Sequence, residues 1–136
     1  MGIKLFFAKI YSNTFYFMSD HFGIAIRGLG FFLRLIKNDA IINVGGYKMY
    51  LDSRISESYA CLVGGKYTEP ETHIFLHNAL NNLGKTVFLD IGCNIGEMLI
   101  GISKHQNLKY AYVFEPDSKC SRVIKINNLL NDMTKC

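Results

Sequence analysis

Paired cysteines are missing from this chain. Its four cysteines, Cys61, Cys93, Cys120 and Cys136, lie far apart, with no C-x-x-C pair and no cysteine–histidine cluster at metal-ligand spacing. A disulfide framework and a cysteine metal site are therefore excluded, no metal is expected, and the thiols read as free in a reducing compartment. No Asn-x-Ser/Thr sequon occurs, and no small-residue cleavage site follows a short apolar core at the N-terminus. Secretion has no support, so a cytoplasmic location is expected. A membrane span is also missing: Lys9, Asp20, Arg27 and Arg34 break the leader before it reaches the roughly 18 uncharged residues required.

Net charge is missing from most of the chain as well. Of the formal charge of +4, all falls in residues 1–37, where Lys4, Lys9, Arg27, Arg34 and Lys37 face Asp20 alone. The other 99 residues carry ten basic and ten acidic side chains. A neutral body has no electrostatic footprint for a phosphate backbone, so no nucleic-acid partner is expected. What is present is apolar: 49% hydrophobic and 13% aromatic residues, enough for one globular unit of 136 residues to bury a core without staples.

The chain divides into a basic leader, 1–37, and a body, 38–136. Phe22, Ile26, Leu29, Leu33 and Ile36 recur at helical steps, which predicts a helix from about Asp20 to about Lys37 with Ser19 or Asp20 as its N-cap. The aromatic residues upstream can continue it, although Asn13 and Thr14 interrupt the pattern. Two uses fit such a leader: an arm packed on the body, or an interfacial helix making peripheral contact with anionic lipid.

In the body, Ala40–Val44 and Tyr47–Leu51 flank Gly45-Gly46, the pattern of a β-hairpin whose turn needs positive φ. Asp39, Asp52, Arg54 and Glu57 read as scattered loop charges with no pairing among them. Pro70 opens a helix that Thr68 or Glu69 can cap and that Gly84 stops. Gly84-Lys85-Thr86 imitates the end of a phosphate loop, but the earlier glycine is absent and a strand follows instead of preceding.

Thr86–Ile91 is a compact apolar run with Asp90 near its end, followed by Gly92-Cys93-Asn94-Ile95-Gly96 and then a helical stretch, Glu97–Lys104. Tyr110–Phe114 reads as a second buried strand ending in Glu115-Pro116-Asp117, and Ser118–Met133 as a second helix with Val123, Ile124, Ile126, Leu129 and Leu130 inward. The order β-α-β-α demands parallel strands and brings both acid-bearing ends to one carboxyl edge. Glu115 lies twenty-three residues beyond Gly92, where an acid can take both hydroxyls of a ribose. A nucleoside is the expected ligand. A dinucleotide turn, G-x-G-x-x-G, needs glycine where Asn94 and Glu97 stand, and a carboxylate there opposes a diphosphate. S-adenosyl-L-methionine carries no phosphate, and Asp90 can attract its positive end.

V-F-L-D-I-G-C-N-I-G-E at 87–97, Y-V-F-E-P-D at 112–117 and I-N-N-L-L-N at 126–131 together resemble class I S-adenosylmethionine-dependent methyltransferases of the FkbM family. G-K-Y-T-E-P-E-T at 65–72 resembles the segment that precedes that family's first strand. The resemblance covers about Gly46 onward and leaves the leader out. It implies an α/β class, a partial Rossmann-like parallel sheet preceded here by a helical arm and a hairpin. It implies S-adenosyl-L-methionine as cofactor, Gly92 and Gly96 under the methionine portion, Asp90, Cys93 and Asn94 beside it, Glu115 on the ribose and Asp117 near the adenine. Asp90 and Asn94 have plainer uses as helix caps, Cys93 as packing, and Glu69 as a cap or a residue facing substrate. The implied reaction is O-methylation of a sugar, glycolipid or small-metabolite hydroxyl, with a small-molecule or glycan acceptor.

A complete sheet of that class has several more strands. The expectation is therefore a truncated domain, inactive in isolation, with no catalytic residue to name and an open apolar sheet edge prone to self-association. Two other readings stand beside it: an NAD or nucleotide-sugar binding Rossmann-like domain, and a non-catalytic membrane-associated module built on the leader.

Overall fold

The computed structural model describes residues 2–23, 38–55 and 59–133, without the side chains of Ala60 and Cys61. It is a mixed α/β structure with two small sheets, one antiparallel and one parallel.

Helix α1, Ile3–Phe22, is continuous through Asn13 and Thr14 and ends at Gly23, whose φ of 64° closes the last turn. This corrects the helix start expected at Asp20: Asp20 lies in the last turn of α1, and most of the expected Asp20–Lys37 helix falls outside the described residues. The physical reason is orientation. Asn13 and Thr14 are exposed, so their polar groups reach water and do not break the helix, while small Ala8 and Ser12 on the opposite face are buried. The helix packs against α2, Tyr59–Val63, and Asp20 reaches Lys66 at 3.5 Å.

Strands β1, Ala40–Val44, and β2, Tyr47–Leu51, form the expected antiparallel hairpin, with Ile42, Val44, Met49 and Leu51 buried. Gly45 and Gly46 take φ of 56° and 86° in the turn. A Cβ at Gly45 would collide with the hydroxyl of Tyr67, so the turn needs glycine for space as well as for conformation.

The charges beside this hairpin are paired, contrary to expectation. Asp52 is 2% exposed, and the Arg54 guanidinium binds it through Nε and Nη2. These hydrogen bonds hold its carboxyl down at about 2 despite burial. Asp39 accepts from the Tyr50 hydroxyl at 2.7 Å and from both the amide and the hydroxyl of Ser53. A turn that folds back within two residues brings Arg54 to Asp52, and the hairpin returns Tyr50 and Ser53 to Asp39. Glu57 lies outside the described residues.

Helix α3, Pro70–Leu83, starts and stops where its proline and Gly84 predict. Its cap differs. Glu69 stands at the N-cap but makes no side-chain cap bond, and Thr68 is turned toward a different partner.

Strand β3, Thr86–Ile91, pairs in parallel with β4, Leu108–Phe114, and α4, Glu97–Ile102, connects them. Helix α5, Ser118–Leu130, follows β4. The strands are not buried on both faces as their apolar runs predicted. Val87, Leu89 and Ile91 stand beside Tyr110, Tyr112 and Phe114 on one face, and all six are at least half exposed. Alternation is the reason: one side chain in two points each way, and nothing among the described residues covers the outward face. Leu129 on α5 also faces solvent, at 79% exposure, while Val123 and Ile124 are buried.

Two asparagines fix α5 to the hairpin. Asn131 receives the Lys48 amide at 3.0 Å and donates to the Lys48 carbonyl at 2.7 Å, acting as a neighbouring strand would. Fully buried Asn127 accepts from the Tyr50 amide at 2.6 Å and donates to the Ile95 carbonyl at 3.2 Å. Through that second bond the hairpin holds the loop after β3.

Candidate functional site

That loop is shaped by three residues in the left-handed region. Gly92 and Gly96 have φ of 78°, and Asn94 has φ of 50°, a conformation asparagine enters more readily than most residues. The Gly92 amide donates to the Phe114 carbonyl at 2.8 Å, and the Gly96 amide to the Cys93 carbonyl at 2.8 Å. The chain is thereby folded over the carboxyl edge of the parallel pair, and the Asn94 amide is aimed at the end of β4. There it donates to Glu115 Oε2 at 2.8 Å.

Glu115 is held by its own neighbourhood too. Its Oε1 accepts the Asp117 amide at 2.9 Å, and its carbonyl accepts the Ser121 hydroxyl at 2.9 Å. Asp90 and Glu115 thus occupy one rim, and they feel each other: burial first, and then the charge of Glu115, raise the Asp90 carboxyl above its ordinary value. Cys93, next in the turn, is buried and feels both charges. Burial, followed by the charges of Asp90 and Glu115, pushes its thiol up to about 11. Cys120, also buried, donates its thiol to Asn94 Oδ1 at 3.4 Å.

A cleft of about 350 Å³ opens above this turn. Asp90, Gly92, Cys93 and Asn94 line it, together with Thr68, Glu69 and Glu97. Three of these residues are carboxylates, and no lysine or arginine is among the lining residues. A Cβ on Gly92 would meet nothing within 4 Å, so the space over the turn is open. Glu115 lies on the far side of the turn, lining an adjacent groove of about 390 Å³ with Val113, Phe114 and Lys125. Gly96 sits under the turn, against Ile124, as the N-cap of α4. Asp117 lines neither cavity; its side chain accepts the Lys119 amide at 2.7 Å and caps α5.

Sequence reasoning treats Glu97 only as a carboxylate opposing a diphosphate and misses that it is the most completely buried acid of the site. Glu97 is 6% exposed and accepts the Thr68 amide at 2.7 Å and the Thr68 hydroxyl at 2.6 Å. His73 Nε2 stands 3.4 Å from Glu97 Oε1, and its ring stacks on Tyr67 with centroids 3.8 Å apart. Burial resists ionisation of Glu97, but the adjacent His73 imidazole and the two hydrogen bonds from Thr68 outweigh it and hold the carboxyl below its ordinary value. Burial pushes Tyr67 up to about 12, with the charge of Glu97 contributing after it. This network ties the 65–69 loop and α3 to the floor of the cleft. The available signal was a lone acid opening the apolar run E-M-L-I-G-I, whose carboxylate must find donors inside the protein.

No protein-family model matches the chain. No curated protein and no solved structure is significantly similar to it. No helix among the described residues is long and apolar enough to cross a membrane.

Proposed function

We propose that the acidic cleft binds S-adenosyl-L-methionine, that β3, α4, β4 and α5 are units of a Rossmann-like methyltransferase sheet, and that the chain serves methyl transfer of the FkbM kind. The acceptor in this reading is a hydroxyl of a sugar, glycolipid or small metabolite. One observation supports it above the others: Asp90, Asn94 and Glu115 converge on a glycine turn beside a cleft lined by carboxylates and by no basic side chain. Such a lining repels a diphosphate and suits a ligand with an ammonium and a sulfonium.

In this reading Asp90 draws the cationic end, and the open face of Gly92 admits the ligand against the backbone. Glu115, in the adjacent groove across the turn, accepts the ribose hydroxyls of a ligand that reaches from the cleft over the turn. Its two oxygens each hold one backbone amide, which fixes the carboxylate in place and leaves a lone pair on each. When bound, the cofactor supplies an electrophilic methyl carbon, and the protein's part is alignment.

Isothermal titration tests the reading. S-adenosyl-L-methionine is expected to bind more tightly than NAD, and Asp90→Asn or Glu115→Gln to weaken it by about ten- to a hundred-fold, the loss of a hydrogen bond to a charged group. Tighter binding of NAD, or unchanged affinity in both variants, refutes it.

A further inference from the structure

Helix α1 carries its large apolar side chains on the wrong side for a helix whose partner is only the body of this protein. The face turned inward holds small residues, Ala8 and Ser12, which are 0% and 1% exposed, with Leu5 and Tyr11 packed beside them. The opposite face should be polar. Instead Ile3, Phe6, Phe7, Ile10 and Phe17 form a stripe at helical spacing, each between 47% and 75% exposed, broken only by Asn13 and Thr14. Lys4 and Lys9 flank the stripe, one on each side, where their stems can lie along apolar surface while the ammonium groups reach outward.

We propose that this stripe docks α1 onto the surface of an anionic lipid bilayer, parallel to the membrane plane. Charge selects this occupant. Helix α1 sets Lys4 and Lys9 beside the stripe, and its one acid, Asp20, lies in the last turn and is ion-paired with Lys66, so the stripe carries cations toward anionic headgroups. A second copy is a poorer occupant, because it would bring two sets of Lys4 and Lys9 together around the paired stripes. Apolar insertion combined with flanking lysines is the arrangement of an interfacial helix, and α1 needs no rearrangement to present it. The proposal is independent of what the acidic cleft binds.

Co-sedimentation of the full chain with vesicles tests it. Binding is expected to vesicles of phosphatidylcholine and phosphatidylserine in a two-to-one ratio, to weaken with added salt, and to be far weaker to pure phosphatidylcholine. Phe6→Ser with Phe17→Ser should lower the partition coefficient on the order of ten-fold or more, the loss of two half-exposed phenyl groups. Phe75→Ser, at a site 67% exposed on α3, should leave it unchanged. Lys4→Gln with Lys9→Gln keeps the apolar stripe and should weaken binding to the anionic vesicles alone. The proposal is overturned if the native chain ignores anionic vesicles, or if the double phenylalanine variant, folded by circular dichroism, binds as well as the native chain. It is overturned equally if sedimentation velocity shows a dimer that this variant abolishes while vesicles go unbound, which makes a second copy the occupant.

Discussion

Gly101 lies inside α4, where replacing glycine by alanine ordinarily stabilises a helix by about 1 kcal/mol, because glycine loses more backbone entropy on folding. Here the opposite is expected. A Cβ at this position would fall within 3.0 Å of both Cε1 and Nδ1 of His73. The ring has nowhere to retreat: it is 5% exposed, stacked on Tyr67 at 3.8 Å and held beside Glu97 at 3.4 Å. Overpacking of this kind costs about 1–3 kcal/mol, and an enclosed ring puts this site at the upper end, so after the helical gain Gly101→Ala should destabilise by up to about 2 kcal/mol and lower the Tm by several degrees. Removing the ring reverses the sign. In a His73→Ala background the added methyl group enters vacated space, and Gly101→Ala should stabilise by several tenths of a kcal/mol or more. Urea unfolding followed by circular dichroism on the four proteins closes the cycle. If Gly101→Ala stabilises the native background as it does the His73→Ala background, the close packing of His73 on α4 is wrong, and with it the account of how α3 is held to the cleft.

Three further outcomes follow from the same geometry. The Glu97 carboxyl is held below its unfolded value of 4.5, so its contribution to stability is full above 4.5 and lost as pH falls through the lower folded value; Glu97→Gln should flatten that acid limb in pH-dependent unfolding, and an unaltered limb contradicts the network. Asp90 has the reverse sign: its carboxyl is raised above 3.8, so its contribution is full below 3.8 and lost as pH rises through the folded value. Asp90→Asn should therefore raise the Tm at neutral pH while weakening S-adenosyl-L-methionine, and a lowered Tm would show that the carboxylate is structurally required. Leu89 and Tyr112 stand side by side on the bare face of the parallel pair; Leu89→Lys with Tyr112→Lys should suppress concentration-dependent association in sedimentation velocity, and association that persists unchanged clears this face of the role.

Much of the backbone was legible in the chain because it rests on local preferences. Gly45-Gly46 admits a tight turn, Pro70 and Gly84 bracket a helix, and the run Thr86–Ile91 ends at a glycine that leaves the strand direction, so these elements stand where their residues predict. The juxtaposition of Asp90, Asn94 and Glu115 was legible for a similar reason: a β-α-β order in a parallel pair forces both strand ends to one rim. Three things were decided only by tertiary structure. Whether α1 continues through Asn13 and Thr14 depends on which face meets water, and that is set by the packing of Ala8 and Ser12. The apolar alternation of β3 and β4 names two faces but not which one is covered, since covering comes from elements elsewhere in the chain. Finally, Glu97, Asp52 and Asn127 are tolerable in a protein interior only because Thr68 and His73, Arg54, and the backbone at Tyr50 and Ile95 meet them there. A buried polar group must be satisfied, but which group satisfies it is settled by chain folding, and for Glu97 and Asn127 the partners lie from 24 to 77 residues away.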